Sequence, residues 1–321
     1  MTPTALSLAE PLASTPDLRS RGDLWAVVLA GGEGLRMPAL IRQLYGVAHP
    51  ERVAASTGSK SLLRQTLERV TLLVPPERIV VVTHASHVRF LGAELAGLPA
   101  VHVLSQPSDR GTAASVLLPA HWIRARDPHA MVAVFPADHF ILEESVFMGH
   151  VAEVVDYVRE HPDWLVLLGA PPTDPDPDYG WIEPGLRLGW AGGGAVHQVG
   201  AFREKPSKES ACRLFSLGGL WNTFIFIAGV AALIEAGRAC VPLLHDRLVR
   251  LAVFAGTQFE AWAVRQAYLL APAADFSRSV LASPLPRLAV ARLPSCTWCD
   301  MGTAERATRT RSAEPRRGRL E

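Results

Sequence analysis

The sequence predicts an α/β protein, with a mostly parallel mixed sheet, helices on both faces and an inserted β-hairpin region. Short apolar runs rich in Val, Leu and Ala alternate with helix-like patterns along most of the chain. These runs lack polar alternation, which is typical of strands buried on both faces. Strands that alternate with helices in this way favour parallel pairing.

Five predicted strands open the chain, with a helical pattern between each pair. The strands are predicted at 24–29, 79–83, 101–104, 131–135 and 164–169, and the helices at 61–73, 87–96, 112–126 and 145–159. The rhythm then changes, because a Pro/Asp loop at 171–178 leads to 181–183 and to an alternating run at 196–202, separated by three glycines. This pattern predicts the antiparallel hairpin beside the sheet. A strand at 220–227, three helical stretches to about 270 and a last strand at 288–293 follow.

Composition limits the kinds of partner. The 321 residues carry 32 Lys and Arg against 31 Asp and Glu, a net charge of +1, which argues against a nucleic-acid coat or a polybasic membrane binder. No apolar run approaches the roughly 20 residues of a membrane span. The first twenty residues are broken by Glu10, Pro11 and Pro16 and do not resemble a signal peptide. We therefore expect a cytoplasmic protein that binds neither nucleic acid nor membrane.

A glycine-rich turn follows the first predicted strand directly. Residues 31–36 read GGEGLR. Glycines let the backbone approach a ligand closely, so amide groups of such a turn can bind phosphates, and Arg36 adds a guanidinium suited to a polyphosphate. The turn matches neither a P-loop nor the dinucleotide-binding spacing. By itself it is either a phosphate-binding turn or a tight turn without a ligand.

Two aspartates stand at positions that suit a metal–nucleotide site. Asp138 follows the fourth predicted strand, where open α/β sheets bind ligands, and Asp300 lies near the end of the chain. Mg²⁺ is commonly bound by one or two carboxylates together with substrate phosphates. The alternative is that each is an ordinary loop or N-cap residue.

Several short segments, taken together in chain order, resemble the sugar-1-phosphate nucleotidylyltransferases, and most closely the mannose-1-phosphate guanylyltransferase branch. The matching segments are 29–36 (LAGGEGLR), 106–107 (QP), 110–113 (RGTA), 135–139 (FPADH), 179–183 (YGWIE), 202–206 (FREKP), 221–223 (WNT) and 298–302 (WCDMG). The resemblance implies a Rossmann-like nucleotide-diphospho-sugar transferase fold over residues 23–302. Its nucleotide-binding part would cover about 23–170 and its sugar-binding part about 171–302, with a disordered tail at 1–22 and an Arg-rich tail at 303–321.

The resemblance also implies a reaction, in which a sugar-1-phosphate oxygen attacks the α-phosphorus of a nucleoside triphosphate and pyrophosphate leaves. Mg²⁺ is the implied cofactor, GTP and mannose 1-phosphate are the implied substrates, and a homodimer is implied. The implied nucleotide-binding residues are Leu29, Gly31, Gly32, Gly34, Arg36, Gln106, Gly111 and Thr112. The implied metal ligands are Asp138 and Asp300, and the implied sugar-phosphate-binding residues are Gly180, Glu204, Lys205 and Asn222. Catalysis would fall to Arg36, Asp138, Lys205 and Asp300, with His139 in a supporting role because a phosphate nucleophile needs no deprotonation.

Three features leave alternatives open. Family members carry a lysine that contacts the phosphates where an ungapped register puts Glu51, so either Arg52 takes over by a one-residue shift or the protein is a weak or inactive catalyst with a regulatory role. A gapped register brings in Arg42 or Lys60 instead. Gln106 suits thymine, uracil or guanine, so the same chemistry with another nucleotide or sugar phosphate is a further alternative. Phe224 occupies a position where family members often have glycine, so the sugar pocket of this chain packs either as closely as in the family or more openly.

Overall fold

The structure is a computed structural model, and it describes residues 22–31 and 60–301. Its strands are β1 (Leu24–Leu29), β2 (Ile79–His84), β3 (His102–Gln106), β4 (Met131–Pro136), β5 (His139–Ile141), β6 (Trp164–Ala170), β7 (Gly180–Ala191), β8 (Gly194–Glu204), β9 (Leu220–Gly229), β10 (Arg287–Arg292) and β11 (Trp298–Asp300). The strands that begin the sheet are runs of Val, Ile and Leu, residues that pack well on a pleated surface.

The α-helices lie between and after these strands. They are α1 (Leu62–Val70), α2 (Leu91–Glu94), α3 (Gly111–Arg124), α4 (Glu144–Glu160), α5 (Lys208–Ser216), α6 (Val230–Cys240), α7 (Pro242–Leu248) and α8 (Glu260–Leu269). Short 3₁₀ segments occupy Pro76–Arg78, Ala85–Phe90 and Val249–Phe254, and a π-type turn spans Ser277–Leu281. The start of α1 is fixed by Ser61, whose hydroxyl accepts a hydrogen bond from the backbone N–H of Arg64.

Nine strands form one mixed sheet in the order β3-β2-β1-β4-β9-β6-β10-β8-β7. The neighbours β3, β2, β1 and β4 run parallel, as do β6 and β10. β9 lies antiparallel between β4 and β6, and the hairpin of β7 and β8 joins the sheet through β10, with a second short pairing to β9. Strands β5 and β11 pair separately as a two-stranded antiparallel sheet.

Two apolar cores cover the two faces of the large sheet. Alternate residues of β1 enter opposite cores, with Leu24, Ala26 and Val28 in one and Trp25 and Val27 in the other. This alternation follows from the period of two along a strand. The parallel strand pairs and the helices packed into the two cores confirm the prediction of a mostly parallel mixed sheet with helices on both faces.

The structure differs from the sequence prediction in some elements. The helix predicted at 87–96 is a 3₁₀ segment followed by the single turn of α2, and the helix α5 and the small β5–β11 sheet were not predicted. Apart from Gly22, the predicted tails lie outside the described residues, and the division into nucleotide- and sugar-binding parts stays a prediction. Within the described ranges, no helix combines the length and the apolar character that a membrane crossing requires.

Candidate active site

The carboxyl ends of the parallel strands bring several predicted site residues to one edge of the sheet. Leu29 is the last residue of β1, and Gly31 follows it. Gln106 is the last residue of β3, and Asp138 follows β4. The Leu29 carbonyl accepts a hydrogen bond from the backbone N–H of Ala137 at 3.1 Å, which ties the first turn to the segment that carries Asp138. This edge is where open α/β sheets bind their ligands.

Asp138 and Asp300 are brought together by the small sheet of β5 and β11. Asp300 pairs with His139 in that sheet, and the backbone N–H of Met301 donates to the carbonyl of Asp138 at 3.0 Å. The ligand atoms of Asp138, His139 and Asp300 all lie within 4.8 Å of one another. Two carboxylates that are far apart in the sequence therefore share one site.

His139 is oriented by Trp298, whose indole Nε1–H donates to Nδ1 of the imidazole at 3.3 Å. In the neutral ring this bond leaves the proton on Nε2, which lies 4.0 Å from Oδ1 of Asp138. A protonated Nε2 is a donor to a carboxylate and not a metal ligand. The tautomer thus favours a donor set of two carboxylates, with His139 beside them.

A buried arginine contacts the backbone of the segment that carries Asp138 and His139. Arg69, on α1, is only 2% exposed and its Nη2 donates to the hydroxyl of Thr66 at 2.9 Å and to the backbone carbonyl of His139 at 3.4 Å. Its Nη1 pairs with Glu144 at 3.3 Å, and the cation lies 5.9 Å from the ring centroid of Phe147. Burial lowers the pKa of Arg69 to about 10, so the guanidinium remains charged at neutral pH.

Gln106, at the end of β3, is buried and forms hydrogen bonds with two other polar side chains. Its Nε2 donates to the hydroxyl of Tyr268 at 2.8 Å, and its Oε1 accepts from the hydroxyl of Ser115 at 3.1 Å. A Cβ on Gly31 would lie 3.7 Å from the same Oε1, so the turn after β1 passes close to this amide. Burial raises the pKa of Tyr268 far above its usual range, and its hydroxyl stays protonated.

Gly111 and Thr112 start α3 and are packed against the segment that follows α8. Gly111 has a φ of 76°, and a Cβ there would lie 2.3 Å from the carbonyl oxygen of Ala274. The hydroxyl of Thr112 donates to Oδ2 of Asp275 at 3.2 Å and accepts from the backbone N–H of Phe276 at 2.7 Å. Both residues are therefore held tightly against this segment.

Gly180, Glu204 and Asn222, which the resemblance assigns to the sugar phosphate, lie close together in the structure. Gly180 and Glu204 are partners in the β7–β8 hairpin. A Cβ on Gly180 would lie 2.8 Å from Oε2 of Glu204 and 3.2 Å from Cβ of Asn222. Only a residue without a side chain leaves room for both groups at this distance.

Glu204 is half-buried in a mixed electrostatic environment. Desolvation and the nearby carboxylate of Asp275 raise its pKa above the usual range for a glutamate, while the charge of Lys205 and a hydrogen bond with Ser277 act in the opposite direction. A carboxylate with little water around it gains more from a hydroxyl donor than an exposed one does.

Two residues in or near the predicted sugar-binding residues have a strained backbone. Lys205 and Phe224, with φ values of 47° and 58°, are the non-glycine residues with positive φ among those the structure describes. This conformation costs an L-residue about 1–2 kcal/mol, and such strain is often found at functional sites. At Phe224, Oδ1 of Asn222 accepts from the backbone N–H at 3.1 Å within a bulge of β9. A glycine, which the resemblance predicts at this position, would adopt this φ without strain.

The family model described as "Nucleotidyl transferase" matches residues 25–312.

The chain belongs to the nucleotidyl transferase family.

Individual members of the family show how far the similarity extends. The alginate biosynthesis protein AlgA of Pseudomonas fluorescens is 29% identical over 226 residues, which are 70% of this chain and 45% of AlgA. A mannose-1-phosphate guanylyltransferase of Sinorhizobium fredii is 32% identical over 212 residues, which are 64% of this chain and 39% of that protein. The chain thus spans less than half the length of these curated relatives.

Solved structures support the family assignment and the fold. A Thermus thermophilus structure, described as a mannose-1-phosphate geranyltransferase, has 27% identity and a TM-score of 0.73, covering 91% of this chain and 80% of its own. A Helicobacter pylori structure, described as a mannose-6-phosphate isomerase, has a TM-score of 0.66 at 17% identity, covering 87% of this chain and 100% of its own, and supports the fold alone. The resemblance found in the sequence is confirmed at the level of this family.

Most of the residues named from the sequence lie in the described part of the chain, and their roles stay predictions. Those that lie outside the described residues are Gly32, Gly34, Arg36, Glu51 and Arg52. Sequence analysis missed Arg69, Ser115, Tyr268 and Asp275. A signal existed for Ser115, which is one helical turn after Gly111 and therefore on the same face of α3. No local pattern marks the other three.

Proposed function

We propose that this family member is a sugar-1-phosphate nucleotidylyltransferase that converts GTP and mannose 1-phosphate into GDP-mannose and pyrophosphate. The observation that carries the proposal is the pair of Asp138 and Asp300, whose ligand atoms lie within 4.8 Å at the carboxyl edge of the sheet. The names of the relatives, which include mannose-1-phosphate guanylyltransferases, support the choice of guanine and mannose.

The donor set fits Mg²⁺ better than a softer metal. Asp138 and Asp300 supply oxygen ligands, which hard cations prefer, and the hydrogen bond from Trp298 to His139 keeps the facing imidazole nitrogen protonated. Asp138 and Asp300 would therefore hold the ion. When bound, Mg²⁺ supplies charge neutralisation on the triphosphate and a polarised α-phosphate.

The chain's own residues bind and orient the two substrates. Lys205 binds the phosphate of the sugar phosphate, and Glu204 and Asn222 accept and donate hydrogen bonds at the sugar hydroxyls. An oxygen of the sugar phosphate attacks the α-phosphorus, and pyrophosphate leaves on the opposite side. The nucleophile is already ionised, so the chain supplies position and charge and forms no covalent intermediate.

On the nucleotide side, Gln106 contacts the base and the first turn contacts the phosphates. The residues assigned to base and phosphates are Leu29, Gly31, Gly32, Gly34, Arg36, Gly111 and Thr112, together with Gln106. Backbone amides at a glycine-rich turn favour anionic oxygens, and Arg36 adds a cation that neutralises charge on the leaving pyrophosphate.

The test is Mg²⁺-dependent release of pyrophosphate by the purified chain. GTP, ATP, UTP, dTTP and CTP are each paired with mannose 1-phosphate and with glucose 1-phosphate. We expect turnover with GTP and mannose 1-phosphate, its loss when EDTA removes the metal, and a loss of about 100-fold or more in Asp138→Asn. Asp163→Asn is the matched control, because its carboxylate is 78% exposed and pairs only loosely with Arg287 at 3.8 Å.

The same assay separates the regulatory alternative that Glu51 raises. Glu51→Lys restores the cation that relatives carry at this position, and an unchanged or moderately higher rate in this variant fits an active wild-type enzyme. Silence of the wild-type chain with every pair, from a folded protein that still binds a nucleotide, contradicts the proposed catalysis and supports a regulatory binding protein. Turnover with a different nucleotide or sugar phosphate keeps the reaction and replaces the substrates.

A further inference from the structure

We propose that residues 274–277, which we call the bridge segment, hold the nucleotide-binding residues and the sugar-phosphate-binding residues in one fixed arrangement. Phe276 and Ser277 are its positioning residues. The proposal rests on the proposed function, because that function assigns a nucleotide to one set of residues and a sugar phosphate to the other. A substitution on either side then changes the affinity for the substrate on the opposite side.

The first three residues of the bridge segment contact the start of α3, on the nucleotide side. The carbonyl of Ala274 accepts a hydrogen bond from the backbone N–H of Ala113 at 3.0 Å. The backbone N–H of Phe276 donates to the hydroxyl of Thr112 at 2.7 Å, and that hydroxyl donates to Oδ2 of Asp275 at 3.2 Å. The Thr112 hydroxyl thus both donates to and accepts from the bridge segment, which fixes the position of the side chain.

The last two residues of the bridge segment contact the sugar side. The buried ring of Phe276 lies 5.9 Å from the ring of Phe224, with an interplanar angle of 70°. The backbone N–H of Phe224 donates to Oδ1 of Asn222 at 3.1 Å, so this ring contact supports the strained residue that orients the asparagine amide. Ser277, which is 5% exposed, forms a hydrogen bond with the carboxylate of Glu204.

The bridge segment is also fixed within the core. The ring of Phe276 stacks on Phe226 with centroids 5.3 Å apart and planes 9° apart, and Oδ1 of Asp275 accepts from the backbone N–H of Arg278 at 2.8 Å. A π-type turn begins at Ser277, and such turns are frequent at functional sites. Protein interiors are close-packed, so a displacement of Phe276 moves its contacts on both sides.

The effect of the bridge segment is reciprocal. Without the Thr112 hydroxyl, the backbone N–H of Phe276 loses its acceptor, and the ring no longer holds Phe224 in one place. Without the ring of Phe224, Phe276 can shift and holds Thr112 less firmly. Coupling between two sites commonly changes affinity by a factor of about 5–150. Each substitution removes a single contact, so we expect the low end of this range.

The test measures each ligand alone by isothermal titration calorimetry, with the full chain and Mg²⁺. The ligands are mannose 1-phosphate and an α,β-methylene analogue of GTP, which cannot release pyrophosphate. Thr112→Val removes a hydroxyl on the nucleotide side, and we expect the dissociation constant of mannose 1-phosphate to rise about fivefold. Thr112→Ser keeps the hydroxyl and retains the wild-type dissociation constant.

Phe224→Leu tests the opposite direction. It removes the ring contact with Phe276 on the sugar side, and we expect the dissociation constant of the GTP analogue to rise about fivefold. Phe254→Leu is the matched control, because Phe254 contacts Trp262 in the same geometry, with centroids 5.8 Å apart and an interplanar angle of 70°. This control leaves the affinity for the GTP analogue unchanged.

Thr257→Val is the matched control for Thr112→Val. The hydroxyl of Thr257 accepts from the backbone N–H of Phe259 at 3.2 Å and donates to the carbonyl of Phe254 at 2.8 Å. It therefore loses the same kinds of hydrogen bond without touching the bridge segment, and the affinity for mannose 1-phosphate stays at the wild-type value. Thermal unfolding of every variant shows that the compared proteins are folded.

Two results overturn the role of the bridge segment. One is that folded Thr112→Val and Phe224→Leu bind the substrate of the opposite side as tightly as the wild type does. The other is that the two control variants weaken binding by the same factors. Binding is measured without turnover, so the two proposals fail separately. A wild type that shows both effects and releases no pyrophosphate supports the bridge segment and contradicts the proposed catalysis.

Discussion

At the edge of the candidate site, we expect the methyl group of an alanine to reduce the free energy of unfolding most at Gly111. Its φ of 76° is unfavourable for alanine, and the new Cβ would lie 2.3 Å from the carbonyl oxygen of Ala274 and 2.9 Å from its carbon. The Ala274 atoms in this contact belong to the backbone. The N–H of Ala274 donates to the carbonyl of Arg110, and its carbonyl accepts from the N–H of Ala113, each at 3.0 Å. The contact cannot be relieved by turning a side chain.

The cost of Gly111→Ala has two parts. The left-handed conformation costs about 1–2 kcal/mol. Moving the Ala274 segment away breaks or weakens two backbone hydrogen bonds, each worth about 0.5–1.5 kcal/mol net. The expected loss in the free energy of unfolding is therefore about 2–5 kcal/mol.

Gly218→Ala isolates the first part of this cost. Gly218 has nearly the same φ, 77°, but a Cβ there would meet no atom within 4 Å. Urea unfolding of the wild type and both variants, followed by circular dichroism, gives the two losses. We expect Gly218→Ala to lose only about 1–2 kcal/mol. Equal losses in the two variants would refute the role assigned to the Ala274 contact.

Two further predictions concern buried charge. Arg69→Met leaves the carboxylate of Glu144 and the carbonyl of His139 without their donor, so we expect a loss of about 1–3 kcal/mol in urea unfolding and a higher Mg²⁺ requirement in turnover. Arg69→Lys should be milder in both, and wild-type behaviour of the Met variant would contradict the supporting role. Burial lowers the pKa of His121 to about 4. Between about pH 6.5 and 4 the unfolded chain therefore binds more protons than the folded chain. The free energy of unfolding falls as the pH falls through that window, by up to about 3 kcal/mol. His121→Leu should flatten this loss between pH 7 and 5, and an unchanged slope in urea midpoints would count against it.

Strand positions were predictable because burial on both faces leaves a continuous apolar run in the sequence. Direction was less predictable, since an apolar run is the same read either way. β9 is as rich in apolar residues as the strands that pair in parallel elsewhere in the sheet. It nevertheless lies antiparallel to both of its neighbours, β4 and β6. The strands β5 and β11 have three residues each, which is too short for a period in hydrophobicity to be recognised. The small sheet could therefore not be predicted from the sequence.

The site shows a similar division. Asp138 could be assigned from its position after a buried strand, whereas Asp300 and Glu204 were assigned by resemblance to the family. Tyr268 and Arg69 contact residues far away in sequence. A tyrosine or arginine in a helix carries no local pattern that predicts such a contact. The roles of Arg36 and Glu51 and the homodimer stay predictions.

The pairing of β5 with β11 has a consequence for the order in which the protein is made. A chain folds as it leaves the ribosome from its amino end. Asp138 emerges early, but its partner carboxylate stands on the last strand described, and β10, which links the hairpin of β7 and β8 to the sheet, emerges only shortly before it. A nascent or prematurely terminated chain that stops before β11 can form much of the sheet and still lack half of the paired carboxylates. Chemistry that depends on both aspartates is thereby delayed until synthesis has passed residue 300.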